Sequence, residues 1–300
     1  MEYIQWSERA RLHQPTIVAA FTGWNDAGDA ASLAVRHLIA VTGATKIGSV
    51  DPDQFYDFQT SRPQARLLDT GERALLWPSV DIYAAPTPAG DLLLLLGVEP
   101  QLRWQTFSRV FVDLARELDS PLTITFGALL ADVPHSRPTN VFGSSSDADT
   151  VAQFDLVRSR YEGPTGIVGV LNHAFAQADM AAISLWAAVP SYVSNTASPK
   201  AALALLAKFS TISPRPLLLD GLQKASREYE HDVTAAVAQD DDLVAYVERL
   251  EHLADHRDPD DDPGKDDAAN GASGDGLPTS PQAAEAFVSD VEKFLRDQNG

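Results

Sequence analysis

Continuous apolar runs alternate with helix-like segments through the first 215 of the chain's 300 residues. Apolar runs without polar alternation are typical of strands that helices cover on both faces. The pattern therefore predicts an α/β fold, a three-layer sandwich with a mostly parallel or mixed central sheet. Its strands are expected at residues 16–21, 46–50, 74–77, 81–85, 92–98, 122–129 and 183–189. Its helices are expected at residues 27–41, 103–118, 147–161 and 167–180.

Two of these strands, residues 74–77 and 81–85, are separated by Pro78, Ser79 and Val80. Such a short connection predicts that the two strands pair with each other in an antiparallel insertion.

The chain after the core domain, residues 1–215, predicts a helical extension. Apolar residues step at helical spacing through residues 216–256, and their phase restarts after the acidic run Asp240 to Asp242, so two helices are expected. Residues 257–279 are acidic and glycine-rich, which predicts a disordered linker. A cap and a first-turn proline predict a last helix over residues 280–297.

The formal charge of −19 is concentrated near the carboxyl end. Residues 239–267 hold 12 acidic and 3 basic side chains, a difference of −9, against 25 and 18, a difference of −7, in residues 1–238. Neither part offers a basic surface, so nucleic acid and anionic membranes are not expected as partners. The first residues lack a signal-peptide pattern and no apolar run is long enough to span a bilayer, so a cytoplasmic location is expected.

The sequence predicts no cofactor and no metal site. The chain has no cysteine, which excludes disulfides, thiolate nucleophiles and cysteine zinc clusters. His252 and His256 have the spacing of two metal ligands on a helix, but no third histidine is near them in sequence. A solvated helix face is the favoured interpretation of that pair.

A glycine-bracketed loop follows the first predicted strand. Gly23 and Gly28 have the spacing of a phosphate-binding loop, but Asp29 occupies the position of the lysine that such a loop requires. A carboxylate there would repel a nucleotide, so phosphate binding is not expected. The loop nevertheless follows the carboxyl end of a strand, where α/β proteins engage ligands and partners.

The polar residues of this loop suit the start of a helix. Asn25, Asp26 and Asp29 could cap free N–H groups and oppose the positive end of the helix dipole. Capping is favoured over a direct ligand role for these residues. Trp24 is either a plug over the sheet edge or a contact for a partner.

A second polar turn follows the strand at residues 122–129. A hydrolase would use His135 as the base, Asp132 to orient it, and Ser136 or a serine of residues 144–146 as the nucleophile. Neighbours in sequence rarely form a triad, and the chain has no Gly-x-Ser-x-Gly elbow. A hydrogen-bonded structural turn is therefore favoured, and no catalytic residue is assigned.

Two further segments are candidates for binding. Tyr161 and Glu162 begin a rigid turn, with Glu162 expected near the free N–H groups of the helix that follows. Residues 55–58 carry three aromatic side chains, including Phe58, and are followed by Arg62. So many aromatic residues in a connecting segment indicate either core packing or an interface.

Five segments in order carry a resemblance to a known family. They are Gly23 to Gly28, Asp51 to Phe58 with Arg62 and Pro63, Phe126 to His135, Tyr161 to Gly169, and Ser184 to Pro190. Together they resemble the proteasome assembly chaperone 2 family in its actinobacterial form.

The resemblance implies an α/β fold related to nucleoside phosphorylases and peptidyl hydrolases, with helices appended at the carboxyl end. It also implies protein partners, with proteasome components as candidates, self-association with a trimer as the expected state, and no established enzyme activity. The candidate partner site comprises Gly23, Trp24, Asn25, Asp26, Gly28, Phe58, Arg62, Asp132, His135, Tyr161 and Glu162.

The sequence departs from that family at two points. Eukaryotic relatives dock on proteasome rings through a terminal hydrophobic-Tyr-any-residue signal, whereas the last residues here are Asp297, Gln298, Asn299 and Gly300. That docking mode is not expected for this sequence. The family often has histidine after the Ala-Val-Pro segment, but Ser191 stands there.

Two functional hypotheses follow. The first is a non-enzymatic, self-associating assembly or interaction protein. The alternative is a small-molecule-binding protein or hydrolase-like enzyme that gathers Asn25, Asp26, Asp132, His135 and Glu162 around one pocket.

Overall fold

A mixed eight-stranded sheet forms the centre of the molecule. The computed structural model describes residues 2–8, 10–159 and 161–256. Its strands are β1 (Ile4–Trp6), β2 (Thr16–Thr22), β3 (Thr45–Val50), β4 (Gln64–Leu67), β5 (Arg73–Leu76), β6 (Val80–Ala85), β7 (Leu92–Val98), β8 (Thr123–Ala131), β9 (Val141–Ser144) and β10 (Ala182–Pro190). The main sheet has the order β1-β3-β6-β7-β2-β8-β10-β9. Strands β7, β2, β8 and β10 run parallel, and antiparallel pairs extend the sheet on both sides.

Helices cover both faces of this sheet. They are α1 (Ala30–Thr42), α2 (Trp104–Glu117), α3 (Ala148–Phe154), α4 (Ile167–Gln177), α5 (Pro199–Ile212), α6 (Asp220–Val237) and α7 (Asp241–Asp255). In β2, Val18 and Ala20 pack with α1 and α5, while Ile17, Ala19 and Phe21 pack with α2 and α4. Because both faces of the strand are buried, its sequence is continuously apolar. The predicted three-layer α/β sandwich is confirmed.

The last two described helices lie outside the sandwich. Helix α6 packs against α5, and an apolar cluster that includes Val233 and Val247 joins α6 to α7. The Asp240 carboxylate accepts hydrogen bonds from Asp242 N (3.0 Å) and Leu243 N (3.1 Å), which begins α7. The predicted linker and last helix lie beyond residue 256, outside the described residues.

The predicted antiparallel pair of residues 74–77 and 81–85 is wrong. Strand β5 pairs with β4 in a separate two-stranded sheet, whereas β6 pairs with β3 and β7 in the main sheet. The two runs differ in burial: Val80, Ile82 and Ala84 are fully buried, while Leu75 and Leu76 are about half exposed. Apolar content alone does not distinguish a core strand from an exposed one.

Other boundaries also differ from expectation. Helix α3 ends at Phe154, short of the predicted residue 161, because Asp155 adopts a left-handed conformation at φ 49°. Helix α5 was not predicted, although Ser198 caps it and Pro199 occupies its first turn. Strands β1, β4 and β9 have only three or four residues and were also missed.

Candidate partner-binding site at the strand ends

The loop after β2 is fixed to its neighbours through its main chain. Asn25 O accepts from Ala128 N of the adjacent strand β8 (2.8 Å), and Gly28 O accepts from Ser198 N at the start of α5 (2.7 Å). Gly23 and Gly28 have φ angles of +121° and +57°, which residues with a Cβ adopt at a cost. The backbone of this turn is therefore held in one conformation.

Asn25 joins three segments at the carboxyl end of the parallel strands. It is 1% exposed, and its Nδ2 donates to Glu99 Oε1 (2.7 Å). The same oxygen accepts from Ile167 N in the first turn of α4 (2.8 Å). A Cβ built on Gly166 would lie 2.3 Å from Asn25 Oδ1, so the amide fills the space that a side chain there would need. The Asn25 side chain is thus a structural connector.

Asp26 caps α1 as the sequence predicted. It is 6% exposed, and its Oδ1 accepts from Ala31 N (2.7 Å) and Ser32 N (3.2 Å). Burial raises the pKa of this carboxyl, and its Oδ2 has no hydrogen-bond partner. Capping was wrong for the other two residues: Asn25 binds Glu99, and Asp29 is left-handed at φ 50° without a side-chain cap.

Trp24 is the exposed member of this turn. Its side chain is 51% exposed, although Asn25 and Asp26 on its carboxyl side are buried. An indole that is half open to solvent does not plug the sheet edge. The turn instead presents a large apolar surface from a backbone that is hydrogen-bonded on both sides.

The second predicted turn lies at the same edge, because β2 and β8 are adjacent and parallel. Asp132, directly after β8, accepts through Oδ1 from Ser191 Oγ (3.0 Å) and Tyr246 OH of α7 (2.9 Å). Ser191 thus has a structural contact with this turn. Asp132 therefore links two strand ends to the helical extension.

His135 joins the same turn to α6. It is 4% exposed, with Nδ1 2.8 Å from Tyr192 OH and Nε2 2.9 Å from Thr234 Oγ1. The Thr234 hydroxyl donates to Glu230 O, so it accepts from an Nε2–H, and the Tyr192 hydroxyl then donates to Nδ1. A neutral imidazole with its proton on Nε2 satisfies both contacts. Burial, and secondly the nearby Lys200 ammonium, lower the pKa of His135.

The side chains proposed for a hydrolase do not form a triad. Asp132 binds Ser191 and Tyr246 rather than His135. The Ser136 hydroxyl donates to Glu251 of α7. Neither contact aligns an acid, a base and a nucleophile.

A charged clamp completes the attachment of α7. Arg137 Nε and Nη2 donate to the two carboxylate oxygens of Asp255 at 2.7 and 2.8 Å. The ion pair lowers the pKa of Asp255 and raises that of Arg137. Glu251 lies 3.4 Å from Arg137 Nη1. Because Asp255 is exposed and Arg137 and Glu251 are only partly buried, the clamp orients α7 more than it stabilises the fold.

A small cavity of about 10 Å³ lies beside His135, lined also by Ser198, Lys200 and Tyr229. Such a volume holds about one water molecule. Among the described residues the buried Tyr229 hydroxyl finds no hydrogen-bond partner, so a water is the expected occupant. None of the other four polar residues in the small-molecule hypothesis lines this cavity.

The turn at Tyr161 is ordered by its own contacts. Tyr161 OH donates to Pro164 O (2.8 Å), and Glu162 is exposed. Glu162 was expected near the free N–H groups of α4. That expectation is wrong for Ile167 N, because Glu99 is its hydrogen-bond acceptor.

The aromatic segment divides between core and surface. Phe55 and Tyr56 are buried, and Tyr56 OH donates to Val98 O (2.6 Å). Phe58 is half-buried against Trp77, with ring centroids 4.8 Å apart and the planes at 61°. Arg62 is exposed. Core packing accounts for the first two rings, while Phe58 and Arg62 lie beside the β4–β5 hairpin.

The side chains that were missed from sequence include Glu99, Tyr192, Lys200 and Tyr246. Glu99 had a usable signal, since it directly follows β7, the parallel neighbour of β2. The other three come from segments far away in sequence, so only the folded chain brings them to the site.

In the described ranges, no group of three or more His, Asp or Glu side chains is placed to hold a metal ion. His252 and His256 stack with ring centroids 4.1 Å apart and are exposed. None of the helices described is both long and apolar enough to cross a membrane.

The family follows from a match over most of the fold. The sequence pattern that defines the PAC2 family matches residues 20–237, which include all the strand-end turns described above. The chain belongs to the PAC2 family. No curated protein is similar enough to count as a match.

Solved structures similar to this PAC2 protein include two from actinobacteria. A PAC2 family protein from Streptomyces avermitilis is 40% identical, covers 78% of this chain and 99% of its own, and has a TM-score of 0.72. A proteasome-assembly chaperone homologue from Mycobacterium tuberculosis is 41% identical, covers 77% and 99%, and has a TM-score of 0.71. An archaeal proteasome activator from Pyrococcus furiosus, at 17% identity, 79% and 99% coverage and a TM-score of 0.64, shares the fold.

Proposed function

We propose that this PAC2 protein is a non-enzymatic protein that associates with itself, as a trimer, and binds proteasome subunits in the cytoplasm. The observation that carries the proposal is the geometry of Trp24. The indole is 51% exposed, while the neighbouring side chains of Asn25 and Asp26 form the hydrogen bonds that hold its turn in place.

A rigid, exposed tryptophan suits a protein contact. Tryptophan is enriched among the residues that dominate binding energy, because it buries a large area at little cost in conformational entropy. The turn that carries Trp24 is tied to β8 by Asn25 O and to Glu99 by Asn25 Nδ2. A partner would therefore meet a surface that needs little ordering on binding.

The proposal that the protein is not an enzyme rests on how its polar side chains are used. Asn25, Asp26 and His135 are buried and take part in internal hydrogen bonds, and Asp132 anchors α7. The cavity beside His135 has room for about one water rather than a substrate.

The choice of partner rests on the relatives. The Mycobacterium tuberculosis structure at 41% identity is described as a proteasome-assembly chaperone homologue. We propose the same kind of partner for this chain, and actinobacterial proteasome α-type subunits are the first partners to test.

The experiment measures binding of the full chain to purified actinobacterial proteasome α-type subunits by isothermal titration calorimetry. We expect wild type to bind, and Trp24→Ala to weaken binding about thirtyfold, which corresponds to the loss of about 2 kcal/mol at an interface hot spot. Trp6→Ala is the matched control, since Trp6 is 36% exposed and lies on β1, an edge strand of the sheet that is separated from β2 by three other strands. Its binding should equal that of wild type.

Absence of binding by wild type at about 100 µM would reject the proposed partner, because such an affinity is too weak for a specific interface. Equal binding by wild type and Trp24→Ala would reject the assignment of Trp24.

A further inference from the structure

The β4–β5 hairpin, with Trp77 after it, forms a mostly exposed segment in which Trp77 contacts Phe58; we call residues 64–77 the hairpin arm. Seven of its eight strand residues are exposed, and Ala74 is the partly buried one. Strands β4 and β5 form their own two-stranded sheet, apart from the main sheet. A lone two-stranded ribbon is only marginally stable in water, so contact with another protein surface would stabilise an arm of this kind.

Each face of the arm carries exposed leucine. The register pairs Ala65 with Leu75 and Leu67 with Arg73, which places Leu67 and Leu75 on one face. The opposite face carries Leu76. Leu67 is 67% exposed, Leu75 58% and Leu76 45%.

The apolar surface continues beyond the strands. Leu68 is 41% exposed and Trp77 is 47% exposed. An ordinary surface hairpin buries one face and exposes the other, so that its sequence alternates. Four exposed leucines and a half-exposed tryptophan, distributed over both faces of one hairpin, are typical of a protein–protein contact.

Charge indicates which kind of partner fits. Residues 62–77 carry Arg62, Arg66 and Arg73 against Asp69 and Glu72, a net charge of +1. Because the whole chain carries −19, the remaining residues together carry a net charge of −20. Without Arg62 the arm itself is neutral, so its apolar surface can meet an acidic protein surface without like-charge repulsion. A second copy of this chain supplies such a surface.

We propose that the hairpin arm is the surface through which copies of this chain associate, with the arm of one copy covered by the acidic body of the next. The inference rests on the self-association in the proposed function and names its interface. Within the described residues each strand of the arm pairs only with the other, so the two outer edges are also open to a strand of the neighbouring copy.

The first test is the mass of the full chain in solution by sedimentation equilibrium. Wild type is expected at a multiple of 32.4 kDa, and Leu67→Asp/Leu75→Asp at 32.4 kDa. Leu218→Asp is the matched control, because Leu218 is 74% exposed and lies outside the arm. It should keep the wild-type mass. Far-ultraviolet circular dichroism checks that each variant is folded.

A second measurement uses the absence of cysteine, which makes single thiols clean probes. In Leu67→Cys, the maleimide labelling rate should fall about tenfold or more as the protein is concentrated from the dissociated to the associated range. In Leu218→Cys, the rate should not depend on protein concentration. Leu67→Cys adds no charge, so it tests the arm without the risk that two introduced aspartates change the structure of the hairpin.

The outcomes separate the arm from the proposed function. A wild-type mass of 32.4 kDa at high concentration would reject self-association itself and, with it, the arm. An oligomer that persists in Leu67→Asp/Leu75→Asp, or a labelling rate of Leu67→Cys that ignores concentration, would reject the arm and leave self-association standing. A monomer that labels more slowly at the arm only when proteasome α-type subunits are added would assign the arm to a different partner and overturn the proposal.

Discussion

The strand-end turns and the hairpin arm differ in how their side chains are used. At the strand ends, Asn25, Asp26 and His135 are at most 6% exposed and hydrogen-bonded within the chain. In the arm, Leu67 and Leu75 are more than half exposed. Polar residues are thus buried where a site was expected, and apolar residues are exposed where a simple insertion was expected.

The difference separates residues that stabilise the fold from residues that are exposed for contact with a partner. A buried polar group that loses its partner costs about 1 to 3 kcal/mol, so the strand-end residues should matter for stability. An exposed apolar residue contributes little to folding and is available for association. Substitutions in the two regions should therefore have opposite effects on stability and on binding.

The largest effect is expected at Glu99. Glu99→Ala removes the acceptor of both Asn25 Nδ2 and Ile167 N, so we expect the free energy of unfolding to fall by about 3 kcal/mol. Glu99→Gln keeps an oxygen acceptor and loses only the charge near the α4 dipole, so about 1 kcal/mol is expected. Urea unfolding measures both. A loss under about 1 kcal/mol for Glu99→Ala would mean that the strand-end contacts are not structural.

Asp26 should follow with a smaller loss. Asp26→Ala removes the cap from Ala31 N and Ser32 N and should cost about 2 kcal/mol by urea unfolding. Asp26→Asn keeps the Oδ1 acceptor and removes a carboxyl whose pKa burial raises, so its loss should be the smaller one. If both variants unfolded alike, the cap would not be the role of this side chain.

His135 should make stability depend on pH. The fold lowers its pKa below the usual value of 6.5, so its contribution is complete above that value and is lost as the pH falls through the folded pKa. The groups that act on it are Lys200, which lowers the pKa, and Glu230 and Glu251, which raise it. The stability difference between wild type and His135→Gln should therefore shrink on acidification, as measured by urea unfolding across this range. A difference that is independent of pH would contradict the neutral assignment.

The smallest effect is expected in the arm. Leu67→Ser/Leu75→Ser should change the free energy of unfolding by under about 0.5 kcal/mol at a dilution where the chain is monomeric, because the leucines contact solvent. A loss above about 1.5 kcal/mol in thermal and urea unfolding would show that the leucines are packed within one copy, and the contrast between the two regions would fail.

Sequence patterns predicted the regions that are buried on both sides. The runs at β2, β7 and β8 have the expected positions because continuous apolar sequence requires cover on both faces. The cap at Asp26 was predicted because it acts within one turn of its own helix. The same local pattern wrongly assigned caps to Asn25 and Asp29, so neighbouring residues indicate that a cap is present without deciding which side chain forms it.

The remaining features depend on contacts between distant segments. Glu99 meets Ile167 across 68 positions, and Asp132 meets Tyr246 across 114, so no local pattern shows either pair. The apolar residues of β5 were wrongly assigned to a strand paired with β6. Hydropathy alone does not show whether a strand is buried in the main sheet or exposed. Exposure in the folded chain is what separates Leu75 from the buried Ile82.

Hydrogen exchange of the wild-type protein, compared between dilute and concentrated solution, tests the contrast most directly. We expect slow exchange at Ala31 N and Ile167 N in both solutions, since these amides are held within one copy. We also expect fast exchange over residues 64–76 in dilute solution and strong protection there when the protein is concentrated. Equal protection of the hairpin in both solutions, or fast exchange at Ala31 and Ile167, would contradict this contrast.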